Sequence, residues 1–265
     1  MNMENLGKFY INGAWIAPKS SLAMPVLNPA TELQIGSVAL GSAADVDTAV
    51  AAANLAFVSY SQTSKADRLV LLHRLMAVTQ SRFEDLAQAM SMEMGAPISM
   101  AREAHADAAV GHLQGFIDAL EKVQERKKLA SGDIQLREAI GVCGLITPWN
   151  WPMNQIALKV IPALATGCTC VLKPSEHTPI SAMIYAEIIH EAGFPAGVFN
   201  LVQGDGPTVG AAMSRHPNIQ MMSFTGSTRA GTAVTRDAAD TVKRVTLELG
   251  GKSPNLVFAD CDLEV

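Results

Sequence analysis

Five stretches in the second half of this chain carry side chains able to do chemistry. Each follows closely on an apolar run of strand length or begins inside one. Ile146-Thr147-Pro148-Trp149-Asn150-Trp151-Pro152 closes the run VCGLI (142–146). The Asn150 amide could donate to an oxygen that gains charge, or it could stabilise a turn. Lys173-Pro174-Ser175-Glu176 follows CTCVL (168–172). A cation and a carboxylate at a strand's carboxyl end suit a phosphate and a ribose hydroxyl, or pair with each other on an exposed turn. Gly204-Asp205-Gly206-Pro207-Thr208-Val209-Gly210 follows VFNLV (198–202). Its glycines let backbone approach a ligand, but the last spacing is one residue too long for a dinucleotide fingerprint. Thr225-Gly226-Ser227-Thr228 follows IQMMSF (219–224). There a helix opening on free N–H groups and hydroxyls would fit a pyrophosphate, although the Gly-Lys-Ser/Thr end of a P-loop is missing. Glu248 lies within VTLEL (245–249) and precedes Gly250-Gly251. A carboxylate in an apolar strand is tuned as a general base if it is partly buried, or is simply an edge residue facing solvent.

These stretches need strands to position them. From residue 142 onward the apolar runs, with NLVF (255–258) as a sixth, alternate with helical segments at about 153–166, 179–192, 207–214 and 228–239. Continuous apolar strands separated by helices predict a parallel sheet covered on both faces. The second of these helical segments is well marked: Thr178 caps, Pro179 takes the first helical position, and Gly193 and Pro195 end it. Open sheets of this kind bind ligands beyond the carboxyl ends of their strands, where all five stretches fall. The fold class expected is α/β, a doubly wound parallel sheet with an N-terminal β-hairpin and helices.

The N-terminal part reads differently. Asn12-Gly13 between apolar flanks predicts the hairpin, and 25–38 reads as a loose extended stretch with a turn at Asn28-Pro29. Helices are expected from Ser42, from Ser64, from Ser81 with Glu84 completing a capping box, and over about 98–121. Residues 121–141 are the most charged stretch. They read equally as a solvated linker or as an arm that pairs with another subunit.

Composition bounds the partners. With 265 residues, 49% apolar and 17% charged, the chain can bury a sizeable core. A formal charge of -5 without a basic stripe argues against nucleic acid. No apolar run approaches the ~18 residues of a membrane span. The best candidate, Ala157 to Leu172, is broken by Lys159, Pro162 and Gly167. The first residues lack the apolar stretch of a signal peptide, and a cytoplasmic protein is expected. Cys143, Cys168, Cys170 and Cys261 form no Cys-x-x-Cys, so their spacing suggests neither a redox pair nor a metal site.

Taken together, TPWNWP (147–152), VLKPSEHTP (171–179), EAGFPAGVFNLVQGDG (191–206), FTGSTRAG (224–231) and VTLELGGKSPNLVF (245–258) resemble the aldehyde dehydrogenase superfamily. YINGAW (10–15) and NPAT (28–31) fit as well. The resemblance covers essentially the whole chain. It implies NAD as cofactor and an aldehyde as substrate. It assigns Asn150 to the oxyanion site, Glu248 to the general base and Lys159 to an internal proton relay. Lys173 and Glu176 would hold the adenine-side ribose, with Glu176 favouring NAD over NADP. Gly206, Gly210, Gly226 and Ser227 would meet the cofactor's phosphate side. Phe224, Thr225, Leu249 and Gly250 would meet its nicotinamide side, and Ile146, Thr147, Pro148 and Trp149 would line it. It makes 1–120 with 142–265 the NAD-binding domain, and 121–141 the root of an oligomerisation arm, with a homo-oligomer expected at full length.

One departure carries weight. The family's nucleophile is a cysteine in a Gly-Gln-x-Cys-like motif a few dozen residues after the general base. The sequence runs only 17 residues past Glu248 and has no such motif. Cys261 lies between two aspartates, which disfavour a thiolate. The expectation is therefore a cofactor-binding portion without the catalytic domain, inactive alone. The alternative is a non-catalytic nucleotide-binding or interaction module.

Overall fold

The structure is a computed structural model and describes residues 4–262. Strands β1 (Phe9–Ile11) and β2 (Ala14–Ile16) form the expected hairpin. Asn12 and Gly13 both take positive φ, 52° and 77°, as a two-residue turn of this hand requires. Residues 25–38 are more ordered than expected. Strands β3 (Ala23–Leu27) and β4 (Gln34–Ala39) pair as a separate two-stranded sheet. Asn28 organises their turn, its Oδ1 accepting from the Ala30 N–H and its carbonyl from those of Thr31 and Glu32.

Helix α1 (Ala43–Tyr60) starts at Ser42, whose N–H and hydroxyl both donate to Asp45. Helix α2 (Lys65–Ser81) has the same reciprocal cap in Ser64 and Asp67. The cap expected at Ser81 is not there. Ser81 is the last residue of α2, its hydroxyl donating to the Val78 carbonyl, and α3 (Phe83–Met94) begins behind Arg82. Glu84 is taken instead by Gln88 and Arg102. The fourth expected helix is α4 (Ile98–Met100) and α5 (Asp107–Lys122) joined by a π-helical turn over Ala101–Ala106. Strands β5 (Arg126–Lys128) and β6 (Ile134–Leu136) then form an exposed hairpin within the charged stretch.

The alternating half follows as β7 (Val142–Ile146), α6 (Pro152–Ala165), β8 (Thr169–Lys173), α7 (Pro179–Glu191) and β9 (Phe199–Leu201). A π-helical turn (Gly206–Gly210) leads into α8 (Ala211–Arg215), then β10 (Met221–Gly226), α9 (Thr228–Ala238) and β11 (Arg244–Leu249). The seven-stranded sheet has the order β11-β10-β7-β8-β9-β1-β2. Strands β7 to β11 are parallel, and β1 joins β9 antiparallel. NLVF (255–258) is not a strand. It has no neighbour to pair with, and Leu256, Val257 and Phe258 are exposed.

Alternation along the strands builds one core on each face of the sheet. Cys143, Leu145, Cys170 and Leu172 pack towards α2, α3, α5, α6 and α7. Val142, Ile146, Val171, Met222 and Phe224 pack towards α1, α8 and α9. Among the described residues no helix is long and apolar enough to cross a membrane.

Candidate functional site: the carboxyl edge of the parallel sheet

The chain runs outward from β7 through β8 to β9, then returns to place β10 on the other side of β7. That reversal opens a crevice at the carboxyl ends of β7 and β10, the position where such sheets take ligands. A cavity of about 450 Å³ lies there. Its walls include Ile146 from β7, Phe224 from β10, Gly206, Pro207 and Gly210 from the π-helical turn, and Ala230, Ala233 and Val234 from α9. The small residues leave a mostly apolar slot between α8 and α9. Gly226 is required beside it, because a Cβ there would lie 2.6 Å from the Phe224 ring.

Two helical starts face this crevice. Asp205 caps the π-helical turn by accepting from the Thr208 N–H at 2.7 Å. Ser227 caps α9 by accepting from the Ala230 N–H at 3.2 Å. That leaves the first N–H groups of α9, at Thr228 and Arg229, without helical acceptors, a suitable place for an anion. The hydroxyls of Thr147 and Thr225 are buried without partners. These orphaned donors, the glycine-lined walls and the open helix start fit a dinucleotide.

Lys173 is buried at the end of β8. Its ammonium donates to the Pro174 carbonyl (2.8 Å), the Gly204 carbonyl (2.7 Å) and Glu176 Oε2 (3.1 Å). Burial lowers its pKa, and the carboxylates of Glu176 and Asp205 oppose that shift. So the pair does form, with Lys173 inside and Glu176 half-buried rather than on an exposed turn. The helix behind them is held in an unexpected way. Thr178 and Pro179 stand where the sequence puts them, but the Thr178 hydroxyl makes no cap. Glu93, buried at the end of α3, accepts from the N–H groups of Ile180 (2.5 Å) and Ser181 (3.0 Å) and from the Ser181 hydroxyl (2.5 Å). Burial pushes its carboxyl up to about 7 against those three bonds.

The loop after β7 exposes Asn150 and Trp149, with Pro148 half-buried and Thr147 buried. Trp151 anchors it, its ring 4.4 Å from that of His105 in the π-helical turn Ala101–Ala106. On the opposite side of the sheet from the slot, Lys159 reaches from α6 to donate to the Ser223 hydroxyl at 2.9 Å. Burial lowers the Lys159 ammonium to about 8, and the nearby Glu248 charge opposes the shift. Glu248 itself sits on β11, the exposed edge strand. The burial expected for it is not supplied, because among the described residues no strand covers that edge. Leu249 and Gly250 are also exposed.

The structure thus brings Ile146, Gly206, Gly210 and Phe224 into one cavity wall, with Lys173 packed behind Gly210. Thr147, Pro148, Trp149, Glu176, Thr225, Gly226, Ser227, Leu249 and Gly250 lie along the same sheet edge but do not line that cavity. Lys159 and Glu248 interact with each other on the other face. Sequence reasoning missed Glu93, Ser223 and the alanine stripe of α9. It also missed Arg215, which pairs with Asp237 at the cavity rim (2.8 Å). The alanine stripe had a readable signal in the small residues at 230, 233 and 234, one face of a helix.

Known proteins share this fold. The model of the aldehyde dehydrogenase family matches residues 15–265. A 3-succinoylsemialdehyde-pyridine dehydrogenase of Pseudomonas sp is 51% identical over 263 residues, covering 99% of this chain and 55% of the relative. The solved structure of aldehyde dehydrogenase C from Pseudomonas syringae, in complex with NAD+ and octanal, is 52% identical with a TM-score of 0.94. It covers 98% of this chain and 54% of that one. An aldehyde dehydrogenase from Bartonella henselae is 49% identical with a TM-score of 0.93, over 97% of this chain and 55% of that one. The chain spans about half the length of the relatives it matches.

Proposed function

Because this chain belongs to the aldehyde dehydrogenase family, we propose that it supplies the NAD-binding half of an enzyme that oxidises an aldehyde to a carboxylic acid. The observation that carries the reading is the slot at the β7/β10 reversal, bounded by glycines and by the open start of α9. The Pseudomonas syringae relative holds NAD+ and octanal on the same fold.

In this reading α8 and α9 clasp the adenine, and the start of α9 with Ser227 meets the pyrophosphate. Glu176 accepts from the ribose hydroxyls and repels a 2′-phosphate, so NAD is preferred over NADP. The bound nicotinamide supplies the hydride acceptor. Asn150 donates to the oxygen that gains charge when the aldehyde carbon is attacked. Glu248 takes a proton from the water that releases the acid, and Lys159, linked to Ser223 and facing Glu248, passes that proton on.

None of the four thiols lines the nucleotide slot, and Cys143 and Cys168 share a cavity with Lys159 and Ser223 on the other face of the sheet. Cys143, Cys168 and Cys170 are buried in the sheet, and Cys261 lies exposed in a segment without regular structure. The 265 residues by themselves are therefore expected to bind the cofactor without turnover, since a catalytic unit that lacks one member loses almost all its advantage. That same observation favours the second reading, a nucleotide-binding module without dehydrogenase chemistry. The composition supports a cytoplasmic setting. The exposed β5–β6 hairpin supports the root of an arm that pairs subunits at full length.

The experiment is the near-ultraviolet absorbance of reduced nicotinamide, with short aliphatic, long aliphatic and aromatic aldehydes. No turnover by the 265-residue chain is expected. Turnover that vanishes in Cys261→Ser would move the nucleophile into this chain. Turnover that survives replacement of all four cysteines would overturn the thiol mechanism.

A further inference from the structure

The spacing of the cysteines hides a pair that the sheet assembles. In the β7–β8 register Cys143 stands opposite Cys170, and Cys168 is the residue just before β8. All three belong to the core on the α6 side. Only Cys143 and Cys168 line a cavity of about 330 Å³ between α6 and the sheet, its rim formed by the exposed residues Leu158, Thr166 and Thr246. Lys159 and Ser223 line this cavity as well, whereas the nucleotide slot lies on the opposite face of the sheet.

The sulfur of Cys168 is surrounded by donors. The Cys143 thiol interacts with it directly, the Thr166 hydroxyl lies 3.6 Å away, and the backbone N–H groups of Ile140 and Gly141 point at it. The Cys143 contact, reinforced by the other donors, holds the Cys168 thiol at about 6 against its burial. The same contact pushes the Cys143 thiol well up. The two sulfurs thus stand side by side at the wall of an open cavity, with the donors gathered on Cys168. Cys170 differs: burial, together with the nearby Cys168 charge, pushes it up, and it does not line this cavity. A thiolate with an adjacent thiol and a route for a small oxidant is the arrangement that oxidises selectively.

We propose that Cys168 is an oxidation site for hydrogen peroxide and that Cys143 resolves it, closing a reversible disulfide between β7 and the start of β8. The Cys168 thiolate attacks one peroxide oxygen, an S–O bond forms as the O–O bond breaks, and the departing hydroxide takes up a proton as water. Cys143 sulfur then attacks Cys168 sulfur. The S–S bond forms, the S–O bond breaks, and the hydroxide leaves with the Cys143 proton as a second water. The two thiols lose two electrons, and peroxide is reduced to water.

The test is peroxide treatment of the 265-residue chain at neutral pH, followed by intact mass and peptide mapping. The expected product is two hydrogens lighter, carries a Cys143–Cys168 crosslink and regains its mass with dithiothreitol. Cys168 should react at least about tenfold faster than Cys170, which is fully buried and held protonated. The Cys143→Ser variant should stop at a Cys168 sulfenic acid, trapped by a cyclic 1,3-diketone. Cys168→Ser should form neither product, and Cys170→Ser should behave as wild type. A first reaction at Cys261 or Cys170, a Cys143–Cys170 crosslink, or an unmodified Cys168 in the mapped wild type would each overturn the proposal without any variant having to fold.

Discussion

The carboxyl ends of β8 and β11 carry residues of equal chemical promise in opposite states. At β8 the Lys173 ammonium is buried and fully used by three acceptors, and the helix that follows is tied down by buried Glu93. At β11 Glu248, Leu249 and Gly250 stand exposed on an edge strand, and the apolar Leu256, Val257 and Phe258 lie uncovered beyond it. The side proposed for the nucleotide is tied down by this chain's own contacts, whereas the side proposed for chemistry is not. The ledger of interactions therefore separates two kinds of residue that look alike in sequence. Some are fixed by the fold, and others are only presented by it.

The largest contrast should come from Glu93. Replacing it by Ala leaves two N–H groups and a hydroxyl buried without acceptors, and should cost about 3 kcal/mol or more in urea unfolding. Its titration has a definite sign. The folded carboxyl is raised from 4.5 to about 7. Its stabilising contribution is thus complete below 4.5 and is lost as pH rises through 7. Glu93→Gln should flatten that part of the stability profile; an unchanged slope between pH 5 and 7 would show that Glu93 does not titrate there.

Lys173→Met comes next. It strands the carbonyls of Pro174 and Gly204, and should cost about 2 kcal/mol together with a measurable loss of NAD affinity. An unchanged urea midpoint would mean that the β8 end is no more fixed than β11. Glu176→Gln should leave NAD binding within a few-fold while NADP binding tightens about tenfold, about 1.4 kcal/mol by titration calorimetry. Equal preference in both proteins would remove Glu176 from cofactor selection. The smallest effect belongs to Glu248→Gln, exposed and on the edge. Its unfolding free energy should stay within about 0.5 kcal/mol of wild type. A larger loss would show that β11 is structurally committed after all.

Much of the fold was legible because local chemistry and global arrangement agree. Asn12-Gly13, Ser42, Ser64 and Pro179 mark turns and helix starts through backbone needs that only a few residue types meet. VCGLI reads as a buried strand because both of its faces are covered. The errors fall where a distant partner decides. Ser81 looks like a cap, but α2 runs through it and Glu84 prefers Arg102. Thr178 looks like a cap, but Glu93, far away in sequence, takes the amides. NLVF has strand composition and no strand to join. In the site, glycines and charges at strand ends were visible, while the Lys159–Ser223 contact and the alanine wall of α9 depend on how helices settle on the sheet.

The central claim is that the slot between α8 and α9 receives the nucleotide and that this chain's own contacts complete it. The most direct measurement is calorimetric titration of the 265-residue chain with NAD+, beside an Ala233→Trp variant. Ala233 lines the slot yet is exposed, so an indole there fills the cavity while leaving the core intact. The account predicts one site per chain in wild type, and a loss of binding in Ala233→Trp without a change in unfolding midpoint. Binding of equal strength in both proteins, or no binding by the folded wild-type chain, would contradict it.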